Sequence, residues 1–432
     1  RATVIKADQK GGLWLGTHAK GLLHFWPQSG QLVSFEHDPA RPASIPSNNI
    51  ESLWLDQTGN LWIGHVGSGL SQLITRNANF EILPIPSTKS GDPVILNTQC
   101  VLEDSGGNLW IGTWRNGVYR YHPDLGESTI FRNQPGNPQS LASDMIWDIL
   151  EDRHGLIWLA THKGLQRFDP KNETFRTYGE ESGLRHLAIR SLLEDHTGKL
   201  WIGSFGGLHW LDSQGDTIQF LHSFSEQSNL IITEIFEDSQ KDIWVSAHGQ
   251  GIYHLDFETD NWTHFQKKGR GFKELSANIV RKVVEDTEGR IWLGTEGGGL
   301  NLFLPNPNDF DSSGFRHWRP YNSKLPDENI YNLSVDQQNR LWLSTDMGLF
   351  SFHPKTNEIK PYMLPGKIRG LNVKTRSGKN GTFFAGNAQY IYRFFPDSIK
   401  QNTYIPPIFI TEFQINGRPV PIQGTFGDSL QQ

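Results

Sequence analysis

A single cysteine, Cys100, in 432 residues removes an internal disulfide and a cysteine-rich zinc site from consideration. Its setting, TQCVLED, is that of a small buried hydrophobe. No run reaches the ~18 consecutive apolar residues that a membrane helix requires. Basic excess is also missing: 40 Lys and Arg face 46 Asp and Glu, a formal charge of −6, which gives no electrostatic footprint for nucleic acid. Helical heptads are absent, and so is a GxGxxG fingerprint after a strand. The 16 histidines include no HExxH and no tight pair followed by carboxylates, so neither a metal nor a cofactor is expected. The chain opens RATVIKADQKGGLWLG, without initiator Met, charged n-region or apolar h-region. It reads as a piece of a longer protein whose targeting signal lies elsewhere.

What is plentiful is glycine (44) and tryptophan (15), and together with 36% apolar residues they match a globular chain. Eight of the tryptophans recur in one slot, in DQKGGLWLGT (Trp14), DQTGNLWIGH (Trp62), EDSGGNLWIGT (Trp110), EDRHGLIWLAT (Trp158), EDHTGKLWIGS (Trp201), EDSQKDIWVSA (Trp244), EDTEGRIWLGT (Trp292) and DQQNRLWLST (Trp342). SGKNGTFFAG is a degenerate ninth copy with Phe384 in the tryptophan slot, and successive copies lie 42 to 50 residues apart. Each copy reads as short strands. ESLWLD alternates, TGN turns, LWIGH is a second strand, LSQLI a third and FEILP a fourth. Four strands in ~45 residues is the period of a propeller blade. Within Asp-x-x-Gly-x-x-Trp, Asp caps the hairpin turn, Gly takes positive φ and Trp packs between sheets. The fold class is therefore all-β, a propeller of four-stranded blades.

The pattern ED-x-x-G-x-LWIGT-x-x-GL-x-x-F, with Ser/Asn-rich leads such as PASIPSNNIESLWLD and PQSLASDMIWDILED, resembles the two-component regulator propeller repeat. The resemblance covers residues 1–400. PPIFITEFQINGRPVPI, which alternates and carries Asn416-Gly417 as a hairpin turn, resembles the opening of the triple-tyrosine immunoglobulin-like domain that follows such propellers. Counting back seven copies from that segment assigns residues 91–404 to a seven-bladed ring, 1–90 to two blades ending an upstream ring, and 405–432 to the start of a β-sandwich. A nine-bladed or eight-bladed ring remains open. The resemblance implies the periplasmic sensing region of an inner-membrane receptor, with its kinase or other output module and its membrane helix outside this chain. It also implies an oligosaccharide or similar small ligand and a homodimer. No kinase motif is present in these residues.

Loops between the second and third strands share a face with the connections between blades, where a concave pocket is expected. Most are small and Gly-rich, but TWRNG departs from that form. Trp114 beside Arg115 would stack a sugar ring while the guanidinium grips a hydroxyl or carboxylate. Asn116, His162, Lys163, Phe205, His248, Gln250, Glu296 and Asp346 project from equivalent loops, and Asp144, His186 and Asn278 from the between-blade connections. The plainer reading is that these are freely varying turn residues.

Two other functions compete. The Asp-x-x-Gly-x-x-Trp hairpin is similar to the Asp-box of sialidases, and a glycosidase needs two carboxyl groups ~5–9.5 Å apart or a Tyr nucleophile. Glu296 and Asp346, in adjacent blades, are the acids in these loops; no concentrated His/Tyr/Arg group suggests a lyase. A WD- or kelch-type interaction platform is the other. Here the WD dipeptide occurs at Trp147-Asp148, inside a first strand rather than at the end of a third. The expectation is a ligand-sensing region without catalysis.

Overall fold

The computed structural model describes residues 2–8, 11–27, 31–37, 44–56, 60–73, 80–83, 97–123, 127–170, 172–212, 217–221, 230–269, 273–362, 374–375, 381–386, 391–399, 413–415 and 418–420. Strands dominate, with three single-turn 3₁₀ segments and no α-helix among these residues. Each repeat forms an antiparallel sheet whose strands follow chain order from the inside outwards. In the Trp158 blade these are Ile146–Glu151, Ile157–Thr161, Gly164–Asp169 and Thr174–Tyr178.

The innermost strands of successive blades are Thr98–Glu103, Ile146–Glu151, Ile189–Glu194, Ile232–Glu237, Val280–Glu285 and Ile330–Val335. They neighbour one another in that order. A seventh, Lys374–Thr375, lies beside the last of them and pairs in parallel with the first, Lys374 opposite Cys100. Among the described residues the inner strands thus run through seven blades and return to the first.

The hairpin inside each blade explains the repeat. Asp195 Oδ1 accepts the backbone N–H groups of Thr197 and Lys199, and Oδ2 accepts the Trp201 indole N–H at 2.7 Å. Asp104, Asp152, Asp238, Asp286 and Asp336 hold Trp110, Trp158, Trp244, Trp292 and Trp342 in the same way, at 2.7–2.8 Å. One carboxylate thus caps the turn and fixes the rotamer of the residue that fills the next interface. Trp110 packs on Ile157, Leu159 and Phe168 of the following blade, Trp158 on Leu200 and Ile202, and so on to Phe384 against Val101 and Tyr119. Seven apolar cores alternate with seven blades. Removing ~200 Å² of indole from water at ~25 cal/mol/Å² is worth about 5 kcal/mol. One hydrogen bond nets ~1 kcal/mol, so packing sets the stability and the carboxylate sets its geometry.

Glycine in the LWIGT strand has a separate cause. A Cβ on Gly203 would meet Ile232 of the next blade at 2.6 Å, and one on Gly294 would meet Ile330 at 2.7 Å. The small residues Ala160, Ser246 and Ser344 hold the same slot elsewhere.

One strand belongs elsewhere than the sequence order suggests. FEILP does not complete the Trp62 sheet, which has three strands, Ile50–Leu55, Leu61–His65 and Gly69–Leu73. Phe80–Ile82 instead becomes the outer strand of the closing blade, against Ile391–Phe394 and Phe383–Gly386. Leu83 N–H donates to the Ile391 carbonyl at 2.9 Å, and Glu81 takes the Arg393 guanidinium at 2.6 Å. Phe80 is buried against Phe394, with ring centroids 5.0 Å apart. The ring thus takes strands from both sides of the chain. The Trp14 sheet packs on the Trp62 sheet through Trp14, Leu22, Ile50, Leu61 and Ile63. Phe413–Ile415 pairs antiparallel with Arg418–Val420. The rest of the segment read as an immunoglobulin-like start lies outside the described residues.

Candidate ligand site at the channel mouth

In six blades of the ring, as in the Trp14 and Trp62 sheets, the ladder between the first two strands slips by one residue, immediately after the inner strand begins. Ile146 faces Thr161 and Asp148 faces Ala160, which leaves Trp147 unpaired between them. Gln99, Arg190, Thr233, Arg281 and Tyr331 are left out in the same way. Such a bulge re-aims a side chain away from the sheet face. These six residues, one from each of six consecutive blades, line a single cavity of about 320 Å³ together with Trp114. That volume falls at the lower end of ligand pockets.

The loops around the mouth are locked through their backbone. The residue after each second strand donates its N–H to the carbonyl preceding the inner strand: Trp114 to Asn97, His162 to Met145, Phe205 to Ala188, His248 to Ile231 and Glu296 to Ile279. Thr113, Thr161, Ser204, Thr295 and Thr345 hydroxyls donate to the carbonyl of the glycine that opens the third strand. With the backbone held, the loop side chains are free to vary.

Two halves of the mouth differ in chemistry. On one, the Trp114 and Trp147 rings meet edge to face with centroids 4.6 Å apart, and Phe205 follows at 6.5 Å from Trp147. The Arg190 guanidinium lies over the Trp147 ring at 4.4 Å. Burial lowers the Arg190 pKa to about 10, with Arg281 adding to the shift and Glu296 opposing it. On the other half, Glu296 Oε2 accepts from both Nε and Nη2 of Arg281. Asp346 Oδ2 accepts from the Tyr331 hydroxyl at 3.0 Å and from Asn329 Nδ2 at 3.1 Å. Burial, the bond to Asp346 and the nearby carboxylates push the Tyr331 phenol up to about 12. His248 is lowered by desolvation, then by Arg281 and Arg190.

Of the residues singled out from sequence, Trp114 lies in the cavity wall, and Phe205, Glu296 and Asp346 touch wall residues. Arg115, His162 and Lys163 are exposed and outside the wall. Asn116 donates its backbone N–H to Thr113 Oγ1 within its turn. The Gln250 carbonyl accepts from His264, and neither it nor His248 lines the cavity. Among the connection residues, Asp144 accepts the Asn133 N–H and Asn278 that of Lys267; both shape their loops. His186 Nδ1 accepts the Ala188 N–H and its ring sits 5.6 Å from Phe205. Gln99, Trp147, Arg190, Thr233, Arg281 and Tyr331 were not singled out. All six stand five residues before a hairpin Asp, a slot that varies in type while the position two residues on stays apolar (Val101, Ile149, Leu192, Ile235, Val283, Leu333).

Among the described residues, one group could hold a metal: Asp238, Asp242 and His254 have ligand atoms within 4.8 Å of one another. Its atoms already have protein partners. Asp238 serves the turn and Trp244, Asp242 Oδ1 accepts Phe257 N–H, and His254 Nε2 faces Asp242 at 3.2 Å.

The profile of the two-component regulator propeller matches residues 94–115, 140–163, 183–206, 274–297 and 324–347. The chain carries the two-component regulator propeller repeat. It is similar to histidine kinase P4 of Formosa agariphila, at 30% identity over 98 residues, 22% of this chain and 7% of that protein. It also resembles the extracellular domain of a protein from B. thetaiotaomicron described as a hybrid two-component system, at 22% identity and TM-score 0.61, covering 97% of this chain and 56% of that one. Virginiamycin B lyase from Staphylococcus aureus shares the fold at 13% identity and TM-score 0.55, over 73% of this chain and 98% of the lyase. The chain thus spans little over half of the solved extracellular region and a small part of the kinase. Among the described residues, no helix is long and apolar enough to cross a membrane.

Proposed function

We propose that this region is the ligand-sensing part of a receptor, exposed on the periplasmic side of the inner membrane, and that it binds an oligosaccharide without cleaving it. The observation that carries the reading is the convergence of six bulged side chains from six blades on one cavity beside an aromatic wall. Such a wall suits the apolar face of a sugar ring, and the polar groups opposite suit its hydroxyls. Binding at a point where six blades meet would favour one arrangement of blades and of a homodimer. A ligand shifts such an equilibrium only through its differential affinity for the two arrangements. Catalysis fits less well, because Glu296 is committed to Arg281 and Asp346 to Tyr331 and Asn329.

A thermal-shift screen against defined oligosaccharides, with product analysis of each hit, tests this. Ligand at 100 times its Kd adds about 2.7 kcal/mol to the folded state. The expected result is a hit recovered intact and lost in Trp147→Ala. A hit recovered as shorter sugars would instead make this an enzyme. Absence of any saccharide hit would overturn the ligand class.

A further inference from the structure

The charges at the mouth do not cancel evenly. Arg281 is neutralised by Glu296 within the site. Arg190 has no such partner: among the described residues no carboxylate lies within ion-pair distance of its guanidinium, which rests on the Trp147 ring instead. A guanidinium over an indole ring still has N–H donors to offer, and its planar fork matches a carboxylate or another oxyanion in two parallel bonds. The cation is also partly desolvated, as its lowered pKa records. Glu296, the carboxylate that favours this charge, is bonded to Arg281, so a ligand that brings an anion of its own to the partly desolvated Arg190 gains on binding. The cation therefore stands next to the Trp114–Trp147 wall. On the opposite half, Asp346 and the Arg281–Glu296 pair offer acceptors for hydroxyl groups rather than a second anion site.

Resting on the sensor reading above, we infer that the cavity selects an acidic saccharide, its anionic group held by Arg190 and its ring against Trp114 and Trp147. Carboxylate and sulfate both satisfy this chemistry. Titration calorimetry on the whole chain distinguishes them, using oligogalacturonate, oligoalginate and sulfated galactan oligosaccharides beside their methyl-esterified or desulfated forms. The expected result is that an acidic oligosaccharide binds, that neutralising its acid group weakens binding at least tenfold, and that Arg190→Gln weakens it similarly. Arg190→Lys, which keeps the charge and loses the fork, should retain partial affinity. Exposed Arg115→Gln should bind like the parent, and melting of the apo variants checks that each is folded. Which series responds, uronate or sulfated, names the anion. If a neutral oligosaccharide binds as tightly as its acidic form, or Arg190→Gln binds unchanged while folded, the acidic selection is wrong and the sensor reading stands. If no saccharide of either kind binds, both fall together.

Discussion

Lys241 holds a backbone conformation that four of its counterparts give to glycine. Gly107, Gly155, Gly198 and Gly289 sit at φ between +76° and +93° in the hairpin turn, and Lys241 sits there at φ +77°. For a residue with a Cβ, that region costs ~1–2 kcal/mol, while glycine loses ~0.5–1 kcal/mol more chain entropy on folding. Lys241 is exposed, so little packing offsets the strain. Lys241→Gly should therefore stabilise by about 0.5–1 kcal/mol. Gly155→Ala should destabilise by about 1 kcal/mol although the space is open, the nearest atom to the new Cβ being Glu151 Oε1 at 3.9 Å. Urea midpoints at unchanged m-value read both shifts, and shifts of the same sign would break the argument. Turn residues of this kind are legible in sequence because the Asp, the positive-φ residue and the Trp lie within seven positions and interact locally. The cavity residues are not. A bulge is a relation between two strands, so Trp147 looks like any strand residue until its partner's register is known. Trp114 was found because its loop breaks a Gly-rich pattern that neighbouring repeats display; the variable slot five residues before each hairpin Asp was the corresponding signal for the others.

Between elements, polar groups connect one blade to the next. Glu151, Glu194, Glu237 and Glu285 each accept a turn N–H from the preceding blade, from Ser105, Arg153, His196 and Ser239. This explains the glutamate of the repeated ED pair, which sequence left unaccounted for because its partner is ~45 residues away. The response to pH is carried by a buried histidine, His209. Its Nε2 accepts the Arg185 backbone N–H at 3.2 Å, so the ring is neutral with its proton on Nδ1. Burial, aided by Arg185, lowers its pKa from 6.5 to about 4. An unfolded histidine binds a proton below pH ~6.5 and the folded one refuses it until about 4. In that window the unfolded state holds more protons, so stability falls as pH drops from ~6.5 towards 4, by up to ~1.4 kcal/mol per unit. His254, lowered to about 4 chiefly by burial, acts with the same sign. Melting at pH 7.5, 6.0 and 5.0 should show this fall. His209→Gln, which keeps an acceptor for the Arg185 N–H but does not titrate, should melt with a shallower pH slope, His254 and the other histidines lowered by burial (His65, His248, His264 and His317) supplying the remainder. An equal slope in the variant would exclude His209 as a source.

At the scale of the molecule, the sequence shows what repeats but leaves open both the number of blades in the ring and the way it shuts. Periodicity identifies what repeats, and the closing strand is a non-repeating choice: FEILP follows the Trp62 repeat by order and joins the Phe384 blade by packing. Its Phe80 is enclosed by Phe394, Phe383 and Trp342, a setting that the open edge of the Trp62 sheet lacks. That sheet leaves Trp54 58% and Leu70 64% exposed. Reading the Trp14 and Trp62 sheets as blades of a separate ring makes the seven-bladed ring independent of them but dependent on Phe80–Leu83. A chain of residues 78–404 should accordingly melt like the ring within the full chain. A chain of residues 91–404 loses the Phe80 side chain from its core, the Leu83–Ile391 hydrogen bond and the Glu81–Arg393 pair. Removing a buried Phe alone costs ~3–5 kcal/mol, roughly 5–10 °C for a domain of this size. A peptide spanning residues 78–86, added in trans, should restore part of that loss by adding a strand to the exposed edge. Equal melting of the two chains would mean that the ring does not depend on its borrowed strand. Failure of residues 78–404 to fold would mean that the Trp14 and Trp62 sheets support the ring after all.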